Sequence, residues 1–128
     1  MDRVAILDTS ALMALIRGEN GADKVAACIA GSLISTVNLA EVHSKLVLAG
    51  LDEKLAWWHI DGAECSTVPF DDYQARMAGG LVLVTKPFGL SLGDRACLAL
   101  AIQQKGTIYT ADKIWKKIPL GIEVEVIR

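Results

Sequence analysis

The stretch Val4-Ala5-Ile6-Leu7-Asp8-Thr9-Ser10-Ala11-Leu12 decides the fold. A short, wholly apolar run breaks at an acid and two hydroxyls, then turns helical. A half-exposed strand would alternate; this one does not, so both its faces are buried. The pattern returns at Thr107-Ile108-Tyr109-Thr110, followed by Ala111-Asp112. Strands of this kind belong to parallel sheets covered by helices, in which ligands bind beyond the carboxyl ends of the strands.

Working outward, strands are expected at 3–7, 32–36, 66–69, 107–110 and 122–127. Helices are expected at 10–17, 21–30, 38–49, from 51 or 52 to about 61, 71–84 and 91–105, with one or two further turns at 113–117. Gly79-Gly80 weakens the helix at 71–84, since each mid-helix glycine costs about 1 kcal/mol relative to alanine. Lys86-Pro87-Phe88-Gly89 reads as a loop. Strands alternating with helices give an α/β domain, a mostly parallel short-stranded sheet with helices on both faces. At 128 residues the chain is one domain, 1–128.

Composition narrows the setting. Cys28, Cys65 and Cys97 are an odd set with no close pairing, which argues for a reducing compartment. The apolar start is broken at Asp8-Thr9-Ser10, too early for a signal peptide. No apolar run is long enough for a membrane span. A cytoplasmic protein is expected. Net charge is −2, which does not advertise a nucleic-acid binder. Without Asp8, Glu41, Asp94 and Asp112 the remainder would carry +2.

Those four acids carry the chemistry. Asp8 and Asp112 follow strands, while Glu41 and Asp94 are expected in the first turns of their helices. Asn38-Leu39-Ala40-Glu41 and Ser91-Leu92-Gly93-Asp94 both fit a capping box. Taken singly, each acid is explained as a cap. Taken together, they would gather at one edge of a parallel sheet, where carboxylates repel unless a cation joins them. An oxygen-only donor set points to Mg²⁺ or Mn²⁺ rather than Zn²⁺. His43 and His59 read as surface or packing residues. Thr9, Ser10 and Thr110 stand beside the acids and are expected to orient them, or to make ordinary turn hydrogen bonds.

These segments closely resemble PIN-domain ribonucleases, and most of all the VapC-type toxins of toxin–antitoxin pairs. The resemblance rests on Leu7-Asp8-Thr9-Ser10-Ala11-Leu12, Asn38-Leu39-Ala40-Glu41-Val42, Leu90-Ser91-Leu92-Gly93-Asp94-Arg95-Ala96-Cys97 and Tyr109-Thr110-Ala111-Asp112-Lys113. Trp115 and the closing Glu123-Val124-Glu125-Val126-Ile127-Arg128 also match the family's ending. The resemblance implies a PIN-like fold and Asp8, Glu41, Asp94 and Asp112 as metal-binding, catalytic acids. It further implies metal-dependent endonucleolytic cleavage of RNA, inhibition by a cognate antitoxin, and a homodimer. The apolar, glycine-rich segment from Gly79 to Phe88 departs from the family pattern.

Lys113, Lys116 and Lys117 are expected to share one helix face beside Asp112, and Arg95 and Lys45 to flank the other acids, as phosphate contacts for RNA. Leu46, Val47, Leu48, Leu51, Leu55, Trp57 and Trp58 exceed what two short helices can bury. The excess is expected to form an antitoxin or dimer surface. A receiver domain or an Asp-x-Asp phosphatase fits less well, because Thr9-Ser10 stands where such folds need a second acid. The non-enzymatic alternative is a PIN-like domain that binds RNA or protein without cutting.

Overall fold

The computed structural model describes residues 3–128. Its centre is a five-stranded sheet in the order β3-β2-β1-β4-β5, every pair parallel. The strands are β1 (Ala5–Leu7), β2 (Leu33–Ser35), β3 (Ser66–Val68), β4 (Thr107–Thr110) and β5 (Val124–Val126). The helices are α1 (Thr9–Arg17), α2 (Ala22–Cys28), α3 (Thr36–Leu48), α4 (Glu53–Asp61), α5 (Asp72–Gly80), α6 (Val82–Thr85) and α7 (Leu92–Gln104).

Residues alternate between two cores. Leu7 and Ile34 face one, with Leu12, Val25, Val42, Leu46 and Ile60 from α1 to α4. Ile6 and Ile108 face the other, with Leu98 and Leu100 of α7 and Trp115. Helix α3 packs on α1 and α4 and also on α7, so it bridges the two layers at the end of the sheet.

The chain runs outward from β1 through β2 to β3, then returns to lay β4 on the other side of β1. Strand order therefore reverses between β1 and β4. Their register, Leu7 opposite Tyr109, sets Asp8 level with Thr110. This is the position at which open α/β sheets bind ligands.

Several sequence expectations need correction. Helix α3 starts at Thr36 with Ser35 as its N-cap, not at Asn38. Ser35 takes the extended conformation at the end of β2, so the β-branched Thr36 and Val37 open a helix rather than extend the strand. Glu41 consequently lies beyond the first turn. The expected helix at 71–84 breaks after Gly80 and resumes as α6, and the loop at 86–89 contains a 3₁₀ turn, Lys86–Phe88. The turns at Lys113–Lys117 are 3₁₀ rather than α. With three residues per turn, Lys113 and Lys116 share a face and Lys117 does not. Strand β3 is an edge strand with Ser66 and Thr67 exposed, not a buried one.

Candidate functional site

Asp8 ends β1 and caps α1. Its Oδ1 accepts from the Ala11 amide at 2.8 Å and from Ser10 Oγ at 2.7 Å; its Oδ2 accepts from Thr110 Oγ1 at 2.6 Å. The residue is only 5% exposed. Burial pushes its carboxyl above the ordinary aspartate value despite these bonds, and the charge of Asp94 adds to the rise. The Ser10 and Ala11 bonds are local to the strand-to-helix turn, whereas the Thr110 bond crosses from β4.

Thr110 links this acid to the next. Its hydroxyl donates to Asp8 and accepts from the Asp112 amide at 3.1 Å. Ser10 similarly accepts from the Ala111 amide at 2.9 Å while donating to Asp8. Asp112 itself is exposed and caps the 3₁₀ turn through Oδ1 on the Ile114 amide. Asp94 stands third in α7, in the capping box with Ser91 that the sequence suggests. Its Oδ2 accepts from the Ser91 amide at 2.9 Å.

Glu41 arrives from α3. Its Oε1 accepts from Thr9 Oγ1 at 2.6 Å and from Asn38 Nδ2 at 3.1 Å. Its carboxylate lies on the α-carbon of Gly93, where a Cβ would stand 2.6 Å from both oxygens.

Cys97 lies under the field of three of the acids. This fully buried thiol, one turn beyond Asp94, is pushed well above its ordinary value by burial, then by the charges of Asp8, Asp94 and Glu41. Three of the four acids thus act on one spot, and Asp112 joins them through Thr110. Among the described residues, no lysine or arginine forms an ion pair with any of the four. Nor do three acidic, His or Cys side chains converge closely enough to enclose one ion as they stand. One oxygen each of Asp94 and Asp112 is drawn back to its own helix start. Glu41 Oε2, Asp94 Oδ1 and Asp112 Oδ2 accept no hydrogen bond among the described residues. A donor set of oxygen alone, negative and without a protein cation, suits a hard divalent ion such as Mg²⁺ or Mn²⁺.

The basic residues divide. Lys45 shares an open cleft of about 590 Å³ with Glu41 and Ser44. Lys113 shares one of about 710 Å³ with Ser10, Asp112 and Arg128. Arg95 instead turns inward and donates to the Ala78 carbonyl of α5 at 2.9 Å. His43 packs against Trp57, ring centres 4.8 Å apart, away from any ligand role. Asn38 and Gly93 also belong to this arrangement. The sequence signal for Asn38 is its spacing to Glu41, which places both on one face of a helix.

A family model for the PIN domain matches residues 5–120. The chain belongs to the PIN-domain family. Its fold is shared with several solved structures of low sequence identity. VapBC2 from Rickettsia felis, bound to a DNA fragment from its promoter, matches at 19% identity and TM-score 0.74, covering 98% of this chain and 99% of that one. DNA-bound VapBC from Salmonella typhimurium matches at 17% and 0.77, covering 98% and 99%. VapBC-5 from Mycobacterium tuberculosis, a member of a toxin–antitoxin family, matches at 24% and 0.62, covering 98% of each. No curated protein matches this PIN domain by sequence.

Proposed function

We propose that this PIN domain is a Mg²⁺-dependent endoribonuclease and the toxin of a toxin–antitoxin pair. One observation carries the reading. Acids from four separate elements are tied together at the strand-order reversal: Asp8 and Asp112 share the Thr110 hydroxyl, and Glu41 is held by Thr9 beside Asp8 and lies on Gly93 beside Asp94, with no lysine or arginine ion-paired to any of the four among the described residues.

Asp8, Asp94 and Asp112 would hold the cation, and Glu41 would serve as a further ligand or as the base that takes a proton from the attacking water. A divalent ion held there would lower the pKa of a bound water and would offset charge developing on the phosphoryl oxygens. The protein's own part is orientation. Thr110 and Ser10 fix Asp8 from two sides, and Thr9 fixes Glu41. Lys45 and Lys113, on clefts to either side, would hold the backbone of an RNA strand.

The partner reading rests on two supports. VapBC-5 is named as a member of the VapBC family of toxin–antitoxin systems, and the Rickettsia and Salmonella neighbours carry the same VapBC name. The surface of α3 and α4 also exposes Leu48, Leu55 and Trp58, suited to an amphipathic antitoxin helix or to a second copy in a homodimer. Among the described residues, no helix is long and apolar enough to cross a membrane.

The test is cleavage of a mixed RNA pool with Mg²⁺, with and without EDTA, by the wild-type chain and by Asp8→Asn. Cleavage that EDTA and Asp8→Asn both abolish is expected. A folded Asp8→Asn variant that cuts as well as wild type overturns the assignment. Binding of RNA by wild type without any cutting, when expressed beside its own antitoxin and released from it, would leave the non-catalytic alternative.

A further inference from the structure

We propose that Asn38 is a positioning residue for Glu41, acting with the Thr9 hydroxyl. Asn38 is 1% exposed and lies one helical turn before Glu41. Its Nδ2 faces three oxygens: Glu41 Oε1 at 3.1 Å, Thr9 Oγ1 at 3.3 Å and the Gly93 carbonyl at 3.0 Å. One amide group therefore touches the start of α1 beside Asp8, the body of α3, and the start of α7 beside Asp94. It joins three of the elements that carry the acids.

The amide orientation is fixed by this environment. Turned over, its carbonyl oxygen would face three other oxygens. As it stands, Asn38 Oδ1 has no partner although it is buried. An unpaired buried acceptor is costly. A role in packing alone would be met better by a leucine of similar size, which carries no orphan atom. What Asn38 offers over leucine is its donor, and that donor is spent on Glu41, the Thr9 hydroxyl and the Gly93 carbonyl.

The consequence for Glu41 is specific. Thr9 and Asn38 both bind Oε1, while Oε2 accepts nothing among the described residues. The carboxylate is tied at Oε1 and lies against the α-carbon of Gly93. Pinning one oxygen leaves the second free in a fixed direction, which is the requirement for a ligand or a base held ready.

The inference rests on reading Glu41 as part of the cleavage site, so Glu41→Gln is measured alongside. Two readouts are taken on the full chain: Mn²⁺ binding, from the electron paramagnetic resonance signal of free Mn²⁺, and the rate of cleavage of a random-sequence RNA pool at saturating and at limiting RNA. Asn38→Leu is expected to lower whichever readout Glu41→Gln lowers, by about 10–100-fold, as outer partners of metal sites do. The saturating rate falls and the RNA concentration dependence does not. The double variant Asn38→Leu/Glu41→Gln is expected to be no worse than Glu41→Gln alone, because both act through one carboxylate. A merely structural role would lower thermal stability and leave both readouts unchanged per folded molecule. Folded Asn38→Leu with wild-type readouts, while Glu41→Gln is impaired, overturns this inference and spares the nuclease reading. Glu41→Gln with wild-type readouts overturns both. Should Asn38→Leu not fold, Thr9→Val decides: impairment restored in Thr9→Ser supports the pinning of Oε1, and wild-type behaviour of Thr9→Val overturns it.

Discussion

The carboxylate of Glu41 rests on the α-carbon of Gly93, so that any side chain at 93 would occupy the place of its oxygens, 2.6 Å from a Cβ. The far end of a glutamate normally moves aside at little cost. Here it is tied by Thr9 and Asn38, so moving it breaks two hydrogen bonds. Gly93→Ala should therefore act on the site more than on the fold. Alanine favours a helix by up to about 1 kcal/mol over glycine, which offsets one or two lost bonds at about 0.5–1.5 kcal/mol each. The melting temperature is expected to shift by only a few degrees, while RNA cleavage falls about 10–100-fold. Cleavage at the wild-type rate by Gly93→Ala would show that Glu41 works in a different position from the one seen.

Asp8 links the site to stability. Its folded value lies above the unfolded one, chiefly from burial and further from Asp94. The folded state then binds the proton more tightly, so stability falls as pH rises from the unfolded value near 3.8 through the folded one, and stays lowered at neutral pH. Asp8→Asn removes the charge and can keep the Ala11 cap through its remaining oxygen. The variant should melt above wild type at pH 7.5, with the gap closing as pH approaches 4. Mg²⁺ should raise the melting temperature of wild type and not of the variant. A variant that melts below wild type at every pH would mean that the lost bond from Thr110 to Oδ2 outweighs the buried charge.

How far these relationships were legible from the chain depends on their range. Asp94 was legible in its true setting, because Ser91 and Asp94 are three residues apart and cap the same helix. Asp8 and Asp112 were legible as residues just past strand ends, since β-branched runs mark those strands. The start of α3 was not. Thr36 and Val37 favour strands, and both Ser35 and Asn38 can cap a helix. The choice fell to Ser35 because the strand has to turn there. Asn38 was thereby freed to face Gly93, a contact across 55 positions that no local pattern encodes. The inward turn of Arg95 onto Ala78 was hidden for the same reason.

Cys97 offers a check on the burial of the site that needs no substrate. Burial and three acids hold its thiol well above the ordinary 9.0. The thiolate is the reactive form, so Cys97 should resist iodoacetamide at pH 8 in the native protein and react fully once unfolded. The linkage has a definite sign. As pH rises past 9.0 the unfolded chain loses this proton and the folded one keeps it, so Cys97 contributes to a loss of stability in alkali. Peptide mass spectrometry of the labelled chain reads the site directly. Rapid native labelling of Cys97 would mean that the pocket around the acids is open.

The exposed apolar side chains of α3 and α4 invite a test by charge. Leu48 is 87% exposed and Trp58 71%, so neither is needed by the core. Leu48→Glu and Trp58→Glu together should change the stability of the isolated fold by no more than about 0.5 kcal/mol each. They should nevertheless lower the molar mass in solution, or abolish co-purification with the antitoxin. Unchanged mass and unchanged co-purification would remove this face from consideration as an interface.

The basic residues separate structure from substrate binding. Arg95 buries its Nε without a partner and spends another nitrogen on the Ala78 carbonyl, so it ties α7 to α5. Lys45 and Lys113 stand on open clefts beside Glu41 and Asp112. RNA affinity measured against salt, in EDTA to prevent cutting, tells them apart. Each phosphate contact on a single strand contributes about 0.7 to the slope of log affinity against log salt. Lys45→Ala with Lys113→Ala should flatten that slope by about twice this amount and leave the melting temperature nearly unchanged. Arg95→Ala should do the reverse: a loss of about 1–3 kcal/mol in stability, as for a buried polar group deprived of its partner, with the slope intact. A flattened slope in Arg95→Ala would mean that the guanidinium swings out to meet RNA, and that its bond to Ala78 belongs only to the free protein.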